Sequence, residues 1–117
     1  MAAFKVNLLD IEQGATYHKQ FTWKAGDPLT PVDFGTATAR SDFRESVDAT
    51  EVCFNLNTED GSIVLGDGTI DLIILPALTD GKDWRTGVYN IEIVTSDDEI
   101  RRLVEGKWKM TTDVTHD

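Results

Sequence analysis

The sequence predicts an all-β protein, an antiparallel β-sandwich of about seven or eight strands, and three observations carry that expectation. Apolar and polar residues alternate with period two along most of the chain. Turn residues interrupt the alternation about every 8–12 residues, the spacing of a sandwich. No stretch of ten or more residues carries the apolar stripe of an amphipathic helix. The 117 residues favour one domain over residues 1–117, with a short polar tail at 111–117. That length supports a hydrophobic core without staples.

The elements follow in order. Residues 4–9 read as a short first strand, punctuated by Gln13-Gly14. Next, Tyr17, Phe21 and Trp23 fall on one face, with His18, Gln20, Thr22 and Lys24 on the other. Gly26-Asp27-Pro28 and Thr30-Pro31 read as a loop, because a proline removes a ladder donor. Residues 36–45 read as a long strand, with Ala37, Ala39, Ser41 and Phe43 against Thr38, Arg40, Asp42 and Arg44. Its small side is expected to pack closely and its charged side to be solvated. After a polar loop at 46–50, residues 51–57 place Val52, Phe54 and Leu56 inward. Turns at Glu59-Asp60-Gly61 and Gly66-Asp67-Gly68 bracket a short strand at 62–65. Residues 69–75 are apolar on both faces, as in a central or doubly covered strand. Residues 76–85 read as a connector with one helical turn. Residues 87–95 turn Tyr89, Ile91 and Ile93 inward, and Ser96-Asp97-Asp98-Glu99 forms a hairpin tip. The last strand, residues 100–110, turns Val104, Trp108 and Met110 inward, and Gly106 marks a bulge or a close approach.

Composition narrows the function. Eleven basic against 21 acidic residues give a formal charge of -10. The basic residues are scattered, with only Arg101-Arg102 and Lys107/Lys109 near one another, so direct binding of nucleic acid is not expected. No run approaches the length of a membrane helix, and the N-terminus has no signal-peptide pattern, so neither membrane association nor secretion is expected. The single Cys53 allows no internal disulfide, as in a protein made in a reducing cytoplasm, and reads as a small core residue.

The residue types and their spacing give no expectation of enzyme chemistry or of a cofactor. There is no phosphate-binding loop and no Gly-x-Ser-x-Gly elbow. His18 reads as a solvated surface residue, His116 lies in the terminal tail, and no His/Cys cluster offers a transition-metal site. A calcium loop centred on Gly61 would need Leu56 as its first ligand, which fails. The Asp97-Asp98-Glu99 tip reads as a solvated turn, with a weak cation as the competing reading. Carboxylate pairs suited to glycoside hydrolysis stay open at this stage, since so many acidic residues always supply some pair. Trp23 and Trp108 sit in strand alternation and read as core. Trp84, in the connector, is the candidate interface anchor, together with Arg85 and the tip residues Asp97, Asp98 and Glu99. The competing reading has Trp84 capping one end of the sandwich.

The order of several short motifs points further. Ile11-Glu12-Gln13-Gly14-Ala15-Thr16-Tyr17 is followed by Phe21-Thr22-Trp23, Thr36-Ala37-Thr38-Ala39-Arg40, Gly61-Ser62-Ile63 and Gly68-Thr69-Ile70. The chain closes with Gly87-Val88-Tyr89-Asn90-Ile91-Glu92-Ile93 and Arg102-Leu103-Val104-Glu105-Gly106-Lys107. In that order they resemble small tailed-phage virion proteins similar to the immunoglobulin-like N-terminal domain of phage baseplate upper proteins. The resemblance spans nearly the whole chain. It departs at residues 28–31, where a proline-bounded loop replaces a short polar hairpin, and it lacks the fibre-holding region of a baseplate upper protein. It implies an immunoglobulin-like sandwich and a non-enzymatic structural or accessory role in the virion, at the neck, tail or baseplate or as decoration. It implies other virion proteins as partners, several symmetry-related copies, and assembly from protein made in the host cytoplasm. The alternative function is a carbohydrate-binding adhesion module on the virion surface, built on the aromatics and acidic loops.

Overall fold

Each alternating segment becomes a strand in a computed structural model that describes residues 4–25, 30–31, 34 and 36–111. In chain order the elements are β1 (Phe4–Lys5), β2 (Leu8–Glu12), β3 (Tyr17–Thr22), β4 (Lys24–Ala25), β5 (Thr30–Pro31), β6 (Thr38–Arg44), β7 (Phe54–Asn57), β8 (Ile63–Leu65), β9 (Thr69–Ile74), α1 (Pro76–Thr79), β10 (Thr86–Val94) and β11 (Ile100–Thr111). One sheet runs β1-β11-β10-β6-β7, with β2 also paired to β11, and the other runs β3-β9-β8. With β6, β10 and β11 as the C, F and G strands and β3, β8 and β9 as B, D and E, this is the immunoglobulin-like division of strands. Counting β1 and β2 as one interrupted edge strand leaves eight strand positions in the two sheets, within the expected range.

Several expectations need correction. β1 and β2 both pair parallel with β11, so the sandwich is not antiparallel throughout. Thr30–Pro31 is not loop but pairs with Lys24–Ala25 as a small ribbon, in keeping with proline at an edge. Pro28 and the tail at 112–117 lie outside the described residues. Val52 does not point inward but is 36% exposed. The β6–β7 ladder begins at Phe43↔Phe54, so Val52 precedes the strand rather than alternating within it.

The bulge in the last strand is not at Gly106. Ile91 pairs with Val104 but Glu92 pairs with Arg102, so Leu103 is the extra residue. That insertion lets Arg102 face solvent while Val104, two positions later, is buried.

The core lies between the sheets. On the inner face of the large sheet Tyr89 pairs across strands with Phe43, and Phe43 with Phe54. Their rings stack, at 5.1 Å for Phe43–Tyr89 and 4.5 Å for Phe43–Phe54. Trp108 leans on Phe43 and Phe54 at 6.2 and 6.3 Å. Each such pair adds about 0.5–1.5 kcal/mol beyond the area it buries. The small sheet answers with Ile63, Ile70, Leu72 and Ile74, all buried. As its central strand, β9 accounts for the two-sided apolar pattern: Ile73 sits half-buried on the outer face opposite His18.

The Gln13-Gly14 turn has a structural task. Gln13 is buried, and its side-chain amide donates to the carbonyls of Thr79 (3.2 Å) and Lys82 (2.5 Å). The Gly14 amide donates to Thr79 Oγ1 at 2.9 Å, and the Thr79 side chain is fully buried. Two sequence motifs are thereby stitched together: the turn after the first strand and the connector through α1 to β10. Gln13→Ala removes one donor from each of two carbonyls, leaving Thr79 O with the Lys82 amide (3.2 Å) and Lys82 O with Arg85 Nη1 (3.4 Å). The two lost hydrogen bonds are expected to cost about 1–3 kcal/mol. Gln13→Glu should cost more, because its carboxylate would face both carbonyls with no donor. Thermal melts of the three proteins check that order.

Candidate interaction face on the large sheet

The side chains that alternate away from the aromatic row form the outer face of the large sheet. Register sets them in cross-strand rows. Asn57 of β7 pairs with Arg40 of β6, Arg40 with Glu92 of β10, and Glu92 with Arg102 of β11. In the next row Asp42 pairs with Asn55, Asn90 with Glu105, and Glu105 with Lys5 of β1. A third row joins Arg44 to Val88 and Val88 to Lys107. Together with Val47 from the loop after β6, the β1, β6, β10 and β11 members of these rows line a shallow groove.

The charges are uneven. Five of the eleven Lys and Arg, but three of the 21 Asp and Glu, line the groove, a local excess of two positive charges in a chain of formal charge -10. The three carboxylates are already engaged. Glu92 accepts from Arg40 at 3.1 Å and lies 3.8 Å from Arg102, Glu105 lies 3.7 Å from Arg102, and Asp42 lies 3.3 Å from Arg44. Asn55 also donates to Asp42 at 2.6 Å. Such exposed pairs each contribute about 0–1 kcal/mol. Their larger effect is to leave the positive excess on Lys5 and Lys107, which form no ion pair among the described residues. The groove offers cationic donors around the half-buried Val88 and the exposed Val47.

The residues singled out from sequence lie elsewhere and apart. Trp84 is half-buried beside the core, 5.9 Å from Phe54, with Lys82 Nζ 5.7 Å above its ring. Arg85 is exposed and donates to the Trp84 carbonyl at 2.7 Å. At the far end of β10 the tip is closed by Thr95 N–H to the Glu99 carbonyl and Asp98 N–H to the Thr95 carbonyl, both 2.9 Å, with Asp98 at φ 62°. Asp97 and Asp98 are exposed, and Glu99 pairs with Arg101 at 2.9 Å. The nine residues of β10 separate the Trp84–Arg85 end from the tip, roughly 30 Å at strand rise. They do not form one surface.

The other chemical candidates fall where packing puts them. Burial, and then Glu45, push the Cys53 thiol above its ordinary pKa, which disfavours the thiolate. His18 Nε2 lies 2.8 Å from Asp71 on the exposed outer face of the small sheet. Among the described residues no group of three or more His, Cys, Asp and Glu is gathered to hold a metal ion, and no helix is long and apolar enough to cross a membrane. No family model matches the chain, and no curated protein matches it.

Proposed function

We propose that the chain is a non-enzymatic structural or accessory protein of a tailed-phage virion, an adaptor that joins larger components through the outer face of its large sheet. The observation that carries the adaptor reading is the groove on that face, with charge opposite in sign to the rest of the molecule. The virion assignment is supported by the ordered motifs. The glycan-binding alternative would need an exposed aromatic platform. Trp108 is instead buried, and Trp23 and Trp84 are half-buried against the core, with Trp23 also edge-on to Phe4 at 4.9 Å.

Light scattering on the purified protein, with and without particles lacking it, tests the reading. The protein is expected to mount on those particles at a fixed copy number that follows their symmetry. A monomer that ignores the particles overturns the proposal, and one that then binds glycans replaces it.

A further inference from the structure

We propose that the groove docks an acidic segment of a partner polypeptide. Lys5 of β1 and Lys107 of β11 seat its carboxylates, and Val88, beside Lys107 on β10, and Val47 take a neighbouring apolar residue. The inference rests on the adaptor reading and names the chemistry of its partner. Charge complementarity selects the occupant. The groove's own carboxylates are held by Arg40, Arg44 and Arg102, so an incoming carboxylate meets two ammonium groups that form no ion pair among the described residues, rather than a balanced surface. A second copy of the chain is a poorer occupant. Each copy carries a formal charge of -10, and two such molecules repel over about a Debye length, ~8–10 Å. Nucleic acid is poorer still. Asp42, Glu92 and Glu105 would face its phosphates, and the aromatic ring at this part of the sheet, Tyr89, is 3% exposed and turned inward, so no base can stack on it.

Fluorescence anisotropy of the full chain tests this. The probes are a fluorescein-labelled peptide with two glutamates next to one leucine, its lysine-for-glutamate counterpart, and a single-stranded DNA oligomer. The acidic peptide is expected to bind and to be released by salt. K5E/K107E should weaken that binding about tenfold or more, while K82E/R101E, with the same net charge, should stay within about twofold of wild type. K5E/K107E should also mount poorly on particles lacking the protein. Equal peptide binding by the two double variants, tighter binding of the DNA or the lysine peptide, or a salt-sensitive dimer abolished by K5E/K107E each overturns the proposal. Normal mounting of K5E/K107E overturns the groove assignment and leaves the adaptor reading standing through another face. Groove-dependent peptide binding by a protein that never mounts keeps the groove and sinks the adaptor reading.

Discussion

Gly87→Ala is expected to destabilise the whole sandwich by about 2–4 kcal/mol and to lower Tm by roughly 10 °C. Gly87 pairs with Trp108, and the indole lies across it to donate from Nε1 to the Arg44 carbonyl at 3.1 Å. The Trp108 side chain thus spans β10 to reach β6, closing the core at the end where the β6–β10 ladder stops. A Cβ on Gly87 would lie 2.5 Å from Trp108 Nε1 and nearer still to the Arg44 oxygen. One of those neighbours is backbone and the other is a fully buried ring. Neither can move without opening a gap beside Phe43 and Phe54. Trp108→Phe removes that hydrogen bond to the Arg44 carbonyl, for about 0.5–1.5 kcal/mol beyond the packing it loses. Because both changes break the same bond, the double variant should be less destabilised than the sum of the singles. Denaturant unfolding of the four proteins measures that coupling. A Gly87→Ala melt indistinguishable from wild type would show that the indole is free to shift.

The alternation that placed Ala39, Ser41, Phe43, Tyr89, Ile91 and Ile93 inside is a local property, because side chains on a strand change face at each residue whatever lies beside them. That is why most of the core was legible in the sequence. What strands pair with is not local. Arg40, Glu92 and Arg102 are neighbours because β6, β10 and β11 are neighbours, and each strand alone offers the mixed charges of any solvated face. The basic residues close in sequence are Arg101-Arg102 and Lys107/Lys109, whereas the set at 5, 40, 44, 102 and 107 is collected only by sheet order. Strand direction is equally silent, since an alternating pattern reads the same both ways. The parallel pairing of β1 and β2 therefore appears only once the fold is known. The bulge did leave a trace: Arg102 and Val104 share parity yet have opposite character, and one inserted residue between them resolves the conflict.

Gly106→Ala is expected to act differently from Gly87→Ala, detaching the edge strand while sparing the centre of the sandwich. Between β1 and β2 the chain leaves the ladder at Val6 and Asn7. The Val6 amide still donates to the Glu105 carbonyl at 3.0 Å, and Asn7 Oδ1 replaces a backbone acceptor for the Lys107 amide, also at 3.0 Å. The Val6 carbonyl turns to accept the Tyr89 hydroxyl at 2.6 Å, over the place where a side chain at position 106 would stand. A Cβ there would lie 2.7 Å from Val6 C and closer to its oxygen. Alanine must displace Val6, which strands the buried Tyr89 hydroxyl, at a cost of about 2–3 kcal/mol. Tyr89→Phe loses the bond without the clash and should cost about 1 kcal/mol. Hydrogen exchange separates the cases. In Gly106→Ala the Val6 and Lys107 amides should lose protection, while those of β6 keep it. Because β1 carries Lys5, the same variant should weaken binding of the acidic peptide although its charge is unchanged. Wild-type affinity with an unprotected Val6 amide would mean that Lys107 alone seats the partner's carboxylates.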